Sequence, residues 1–186
     1  MSGASAARFL PLGCPDCGDD LVGRAGDVLA FCAPCETAWR CDRDELERWP
    51  AGRVTRPPEG QGAWLTLPVW VSGSLTLPAF PGRRPLSLAK ILAREVAGLP
   101  AERGVGRPLP LGAQVPPEAI SAVAPLLERR AAVDRPPVLL ALPVRVTKRH
   151  LLLPGSRQVL FPEDVHELRG LLALAAPHAT PEPATP

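Results

Sequence analysis

The chain has 186 residues and a formal net charge of +2, with 46% hydrophobic and 22% charged residues. These proportions are those of a globular protein, and the length allows one domain or a small module followed by a larger one. Residues 1–60 contain 7 arginines and 10 acidic residues, a net −3, whereas residues 61–186 contain 14 basic and 9 acidic residues, a net +5. Neither half has the dense basic patch that a nucleic-acid backbone requires.

Residues 1–11 form an N-terminal arm without an apolar segment long enough for a signal peptide. The longest uncharged run, residues 60–82, has the length of a membrane span but contains several prolines and glycines. Lipid could not satisfy the backbone groups that these residues leave unpaired. We therefore expect no membrane span and a cytoplasmic protein. The 25 prolines of the chain favour many short elements over long helices.

Four cysteines form two C-x2-C pairs separated by 14 residues: Cys14, Cys17, Cys32 and Cys35. Two cysteines three apart on a tight turn can aim both sulfurs at one ion, and a second such turn completes the tetrahedron that zinc prefers. The segment LVGRAGDVLAFC between the pairs predicts two strands joined by a glycine-containing turn. Such a hairpin would bring the pairs together around one metal ion.

The CPDCG turn and the hairpin that leads to CAPC resemble the zinc-ribbon family, including its rubredoxin-like relatives. The resemblance covers about residues 12–41 and implies that Cys14, Cys17, Cys32 and Cys35 are the metal ligands. Glu36 departs from the family pattern, since many ribbons have glycine after the second pair. The aromatic residue that follows the family's first turn is also missing. These departures favour one structural zinc ion over iron-type electron transfer.

Three other interpretations of the four cysteines stay open. Disulfides suit exported proteins, but the chain has an odd count of five cysteines. A redox-active C-x2-C usually lies between a strand and a helix, whereas these pairs flank a hairpin. Iron could replace zinc in the same sulfur site.

The fifth cysteine, Cys41, ends the segment ETAWRC, which predicts a strand with Thr37, Trp39 and Cys41 on one face. In such a strand Cys41 lies about 20 Å beyond Cys35 and cannot share its ion. Asp42 and the glutamate three residues later form a capping box, so a short helix is predicted to follow and to end after Trp49, before Pro50.

In that interpretation Cys41 and Leu46 form a hydrophobic staple at the start of the helix. The alternative role for Cys41 is that of a reactive thiol. Residues 12–50 would then be a zinc ribbon plus a short helix, and the Pro/Gly-rich residues 51–62 a linker.

Residues 63–176 predict an α+β domain that contains a repeat. LTLPVWV begins at Leu65 and LALPVRV at Leu140, and each is followed by a short apolar segment, SLTLP or HLLLP. We expect the two hairpins to pair into one antiparallel sheet, with Pro68 and Pro143 at bulges or sheet edges. Duplication of a hairpin-helix unit and a chance match both remain open.

Helices are predicted at about residues 87–97, 117–131 and 163–176, the second with a kink at Pro125. The fold class is therefore a small β zinc ribbon followed by an α+β domain, whose sheet is covered by helices. Residues 177–186 lack core-forming side chains and are predicted to be disordered.

Catalytic and cofactor-binding motifs are not evident elsewhere in the sequence. GVGR at residues 104–107 lacks the strand-to-helix setting of a nucleotide loop, and the histidines His150, His166 and His178 are scattered. Trp64 and Trp70 could stack on nucleobases, although a place in the core suits their surroundings better. RVTKRH, residues 145–150, is the most basic strip and could touch an acidic partner.

The leading functional hypothesis is a non-enzymatic zinc-ribbon protein that serves as a protein–protein interaction or assembly module. Zinc would replace a hydrophobic core that about 40 residues can hardly build alone. Nucleic-acid or transcription-machinery binding, which the family often performs, is the first alternative. An enzyme with its site in the α+β domain is the second.

Overall fold

The computed structural model describes residues 12–42, 45–56, 63–82, 84–127, 135–147 and 151–154. Within these residues the fold is mostly β. It contains ten strands, two short helices and one 3-10 turn, in this order: β1 Leu21–Val22, β2 Leu29–Cys32, β3 Thr37–Asp42, β4 Glu45–Trp49, β5 Ala51–Val54, β6 Ala63–Ser72, β7 Leu75–Pro78, α1 Pro85–Val96, β8 Ala101–Arg103, α2 Ala119–Val123, the 3-10 turn Ala124–Leu127, β9 Val138–Val146 and β10 Leu151–Leu152.

The strands form two sheets. The first is antiparallel, with the order β1-β2-β3-β4. The second has the order β7-β6-β9-β5-β8, with β10 paired to β9. This second sheet is mixed, because β5 runs parallel to β9. The predicted purely antiparallel sheet is therefore wrong in this one pairing.

The two copies of L-x-L-P-V-x-V lie on β6 and β9, which pair with each other in antiparallel fashion. Leu67 lies opposite Leu142, the third position of each copy, so an approximate twofold axis relates the copies. The following strands repeat the register as well. Thr76 of β7 lies opposite the last valine of the first copy, and Leu151 of β10 opposite that of the second. The expected pairing of the two hairpins is confirmed.

The expected bulges at the two prolines are absent, since the β6–β9 register runs unbroken through Pro68 and Pro143. The Pro68 carbonyl accepts a hydrogen bond from the Ala79 N–H at 3.0 Å and so points away from β9. Pro143 lies opposite Thr66, whose carbonyl also points away from β9, to the N–H of Leu111 at 2.9 Å. Both prolines thus occupy non-hydrogen-bonded positions of this ladder, where a missing N–H costs nothing.

The short helix predicted after Cys41 is wrong, since residues 45–49 form strand β4. A helix would place Leu46 and Trp49, three residues apart, on one face. In the strand they point to opposite faces. Leu46 packs towards the cysteines, whereas the Trp49 ring lies edge-on to Trp70 with ring centroids 5.9 Å apart. Partial burial of one large side chain on each face outweighs the capping signal of the sequence.

The predicted linker at residues 51–62 is corrected at its start, because Ala51–Val54 form β5 inside the second sheet. The chain passes directly from β4 to β5 at Pro50, whose carbonyl accepts the N–H of Leu139 at 3.0 Å. Residues 57–62 lie outside the described residues. The domain boundaries as such stay a prediction.

Helix α1 lies where the sequence predicts a helix, with Leu88, Leu92 and Val96 buried against the second sheet. The helix predicted at about 117–131 is shorter, because α2 gives way to the 3-10 turn that contains Pro125. Residues 128–131, the predicted helix at 163–176, the arm at 1–11 and the tail at 177–186 lie outside the described residues. No helix in the described part of the chain is long and apolar enough to cross a membrane.

The β2–β3 hairpin is buried on both of its faces. One face packs with the cysteines and contributes Ala30 and Trp39. The opposite face contributes Leu29, Phe31 and Ala38 to a hydrophobic cluster that also contains residues of β6, β7, β9 and α2. The alternation predicted for ETAWRC is thus present, and it joins the N-terminal sheet to the rest of the molecule.

Candidate metal centre

The four cysteines of the two C-x2-C pairs come together at one end of the β2–β3 hairpin. The sulfurs of Cys14, Cys17, Cys32 and Cys35 all lie within 4.8 Å of one another. The Cys17 and Cys32 sulfurs are 3.5 Å apart. Four sulfurs around a tetrahedral zinc ion would be about 3.8 Å apart, given a Zn–S distance of about 2.3 Å. The set can therefore hold one metal ion with small side-chain adjustments.

The first knuckle, residues 14–18, is closed by hydrogen bonds within its own segment. The Gly18 N–H donates to the Cys14 carbonyl at 2.8 Å, and the Cys14 N–H donates to the Asp19 carbonyl at 2.7 Å. Gly18 has a φ of +82°, in the left-handed region that glycine adopts without steric cost. Gly18 therefore gives the first knuckle the backbone freedom that its turn requires.

The second knuckle, residues 32–36, connects β2 to β3. Glu36 stands after the second cysteine, as Gly18 does after the first, and it too has a positive φ, of 54°. Glu36 stands where many zinc ribbons have glycine, and it adopts a backbone conformation that glycine usually occupies. Left-handed backbone costs an ordinary residue about 1–2 kcal/mol. Each knuckle thus has a residue of positive φ directly after its second cysteine, although the sequences of the two knuckles differ.

An apolar layer shields the cysteines on the hairpin side. Cys14 and Cys32 are buried together with Leu21, Ala30 and Trp39. The Trp39 indole N–H donates to the Thr37 hydroxyl at 2.9 Å, on the same face of β3. Cys17, by contrast, is exposed. The centre is therefore dry on the side of the hairpin and open to solvent at the first knuckle.

The sulfurs influence one another's protonation. Burial raises the pKa of the Cys14 thiol, but hydrogen bonds from the backbone N–H groups of Asp16 and Cys17 and from neighbouring thiols outweigh burial and lower this pKa to about 7. Hydrogen bonding to Cys17, together with burial, raises the pKa of Cys35, and burial raises that of Cys32. Four crowded thiolates repel one another, so a bound cation is the natural counter-charge for the set.

The second knuckle is docked on a loop from the distant part of the chain. The Val105 N–H donates to the Glu36 carbonyl at 2.8 Å, and the Arg107 guanidinium donates to the Ala33 carbonyl at 3.1 Å. Arg53 of β5 lies 3.5 Å from the Glu36 carboxylate and 3.1 Å from that of Glu102. Arg53 of β5 and the loop that follows β8 therefore hold the knuckle through backbone and charged contacts.

This docking loop is the segment GVGR, residues 104–107, whose sequence lacks the setting of a nucleotide loop. Gly104 and Gly106 have φ values of +92° and +66°. A Cβ on Gly104 would lie 3.1 Å from the Glu36 carbonyl oxygen. Gly104 thus permits close approach of two backbones, whereas Gly106 leaves room for the Arg53 side chain. Two glycines within four residues indicate a loop with unusual backbone angles, but they do not reveal that the loop contacts Glu36.

Cys41 lies in β3 and is exposed, outside the set of four sulfurs. Its predicted neighbour, Leu46, is indeed opposite Cys41, but across the β3–β4 pair instead of along a helix cap. Desolvation raises the pKa of the Cys41 thiol, and a backbone hydrogen bond from Ala30 opposes this shift. A raised thiol pKa does not favour the reactive-thiol alternative.

The other candidate residues divide between core, surface and undescribed segments. Trp70 is fully buried, and its indole N–H donates to the Val115 carbonyl at 2.7 Å, as suits a core residue. Trp64 is 39% exposed and lies opposite Arg145 in the β6–β9 pair. The rest of the basic strip beyond Thr147 lies outside the described residues, as do all three histidines.

Comparisons with protein-family models, with curated proteins and with solved structures found no match.

Proposed function

We propose that this chain is a non-enzymatic zinc-ribbon protein whose metal-stabilised sheet serves protein–protein interaction or assembly. The observation that supports this proposal is the all-cysteine donor set, in which four sulfurs lie within 4.8 Å of one another. An ion bound by four thiolates has no open position for water or substrate, which is typical of structural and not of catalytic sites.

Zinc is the proposed ion. Four thiolates in a tetrahedron suit zinc or iron, so the donor set alone leaves both metals as candidates. The preference for zinc rests on the two departures from the family pattern, the glutamate at position 36 in place of glycine and the missing aromatic residue after the first turn. Metal analysis of the purified protein should give about one zinc per chain, and one iron per chain would contradict the proposal.

The first knuckle is the proposed contact surface. Its residues 15–18 are exposed, as are Asp19 and Asp20 after it, whereas the second knuckle is occupied by the chain's own loop. Asp16 forms an ion pair with Arg48 at 3.4 Å. Together with the exposed Asp19 and Asp20 it forms an acidic surface. A partner with a basic surface complements this charge.

The test is tandem affinity purification from the source organism with increasing salt in the wash. We expect a stoichiometric protein partner to remain with the wild type and with Glu95→Lys, which changes the same charge on α1. Asp20→Lys, with its zinc content unchanged, should release the partner. Retention of nucleic acid instead, lost as salt rises, would overturn the proposal in favour of the nucleic-acid alternative.

A further inference from the structure

A cleft of about 380 Å³ lies between helix α1 and the turn that joins β6 to β7, away from the cysteine site. One wall is α1 and the other is the turn and start of β7, while Leu127 of the 3-10 turn lies at its end. Small-molecule sites in proteins have volumes of about 300–1,000 Å³. The cleft is therefore large enough for a small ligand but not for a dinucleotide cofactor.

Two cations stand on the helix wall of the cleft. Lys90 and Arg94 both line it, one helical turn apart on the same face of α1. Within the part of the chain that the structure describes, neither side chain takes part in an ion pair. Among the lining residues that the structure describes, none carries a carboxylate. Two adjacent cations in such surroundings attract an anionic group.

The rest of the lining combines hydroxyl groups with apolar surface. Ser74 and Thr76 lie on the β wall, and the Thr76 hydroxyl can donate to an anion. Leu75 and Ala89 are buried and form an apolar base. Ala93 follows Ala89 by one turn, so small side chains leave room beside the helix.

We propose that this cleft binds a small ligand that has one anionic group, a carboxylate or a phosphate, attached to an apolar body. The anionic group pairs with Lys90 and Arg94. The Arg94 guanidinium can donate hydrogen bonds to two oxygens at once. The apolar body lies on Leu75 and the two alanines. This inference is independent of the proposed function, because no cysteine and no knuckle residue lines the cleft.

The experiment measures binding of octanoate, octyl phosphate and 1-octanol to the full zinc-loaded chain by ligand-observed NMR. We expect at least one of the anions to bind in the millimolar range or tighter and the neutral alcohol to bind at least about tenfold more weakly. Preference for octyl phosphate identifies a phosphate ligand, and equal or stronger binding of octanoate a carboxylate ligand. Absence of binding by both anions, or equal binding by the alcohol, would overturn the proposal.

Variants locate the binding. Lys90→Gln combined with Arg94→Gln should weaken binding of the anions at least about tenfold and leave the alcohol unaffected. Ala93→Leu, which fills the cleft with a helix-compatible side chain, should weaken all three ligands. Arg103→Gln on the exposed strand β8 is the matched control and should change nothing. Zinc content and circular dichroism check that each variant is folded. Anion binding that survives both cleft changes in folded protein would place the ligand elsewhere and refute the assignment.

Discussion

The two knuckles of the metal centre have the same cysteine spacing and a positive φ after the second cysteine, but they are held in different ways. The first is closed by hydrogen bonds among residues 14–19 and faces solvent. The second makes its contacts with residues 104–107 and with Arg53, far away in sequence. One knuckle is thus defined locally and the other by tertiary packing. A metal ion between them would tie a solvent-facing turn to the central sheet.

Loss of the shared ion should have the largest effect, because it removes the link between the knuckles. We expect Cys35→Ala to reduce the metal content from about one ion per chain to nearly none. Structural zinc contributes about 10–16 kcal/mol of apparent binding free energy in small zinc peptides. Loss of even a modest share of that stabilising energy would unfold the N-terminal sheet at ambient temperature. Metal analysis and thermal unfolding of the purified variant measure both effects.

Cys41→Ala is the matched control for this change, since Cys41 is exposed and outside the set of four sulfurs. It should keep the ion and lose less than about 1 kcal/mol of stability. Loss of the ion from Cys41→Ala would mean that the thiol of this residue belongs to the metal site.

The second-largest effect should come from Phe31, which lies on the hairpin face that packs against β6 and β9. Phe31 is 2% exposed, whereas Val22, its partner across the β1–β2 pair, is 47% exposed. Truncation of a buried phenylalanine to alanine costs about 3–5 kcal/mol. We therefore expect Phe31→Ala to lower the free energy of unfolding by about this amount, as measured by urea denaturation of the zinc-loaded protein.

Val22→Ala should cost less than about 0.5 kcal/mol, as exposed positions usually do. Equal costs for the two variants would show that the hairpin is not packed on the second sheet in solution. The N-terminal sheet would then be a free-standing ribbon, and neither knuckle would be held by tertiary packing.

Much of the first knuckle could be predicted from the sequence, because its determinants are local. The spacing of Cys14 and Cys17 and the glycine that follows them specify a turn without reference to other residues. The same holds for α1, whose apolar residues recur at helical spacing. The pairing of the two repeats was also predictable, since two apolar strands of the same L-x-L-P-V-x-V pattern suit one sheet.

The remainder could not be predicted, because it depends on partners distant in sequence. The segment DRDELERW has a helix-start signal, yet Leu46 and Trp49 are needed on opposite faces of a strand. The parallel pairing of β5 with β9 joins residues about 90 positions apart and has no local signature. The contact of Val105 with Glu36 was hidden for the same reason.

Substitution of two glycines that have similar positive φ values, Gly18 and Gly104, tests the docking of the second knuckle. Around Gly18 no atom lies within 4 Å of an added Cβ, whereas at Gly104 the Glu36 carbonyl oxygen lies at 3.1 Å. Gly18→Ala should therefore cost only the left-handed backbone penalty, about 1–2 kcal/mol. Gly104→Ala adds a steric cost of about 1–3 kcal/mol and should be the more destabilising.

Urea denaturation of the two zinc-loaded variants gives the difference. Equal losses of stability would show that the loop does not approach Glu36 as closely as the structure describes. The docked knuckle would then be as independent of the second sheet as the first one is.

The smallest expected effect belongs to Glu36 itself and separates its backbone from its side chain. Glu36→Gly removes the cost of a positive φ, about 1–2 kcal/mol, but it loses the ion pair with Arg53 and gives the unfolded chain more freedom, by about 0.5–1 kcal/mol. The pair is more than a third exposed on both sides and contributes at most about 1 kcal/mol. We expect a net change within about 1 kcal/mol, measured by thermal unfolding. Glu36→Gln keeps the side chain and removes only the charge, so it should destabilise by less than about 0.5 kcal/mol. If Glu36→Gln lost as much stability as Gly104→Ala, the charge of Glu36, and not the backbone contact with Val105, would hold the second knuckle in place.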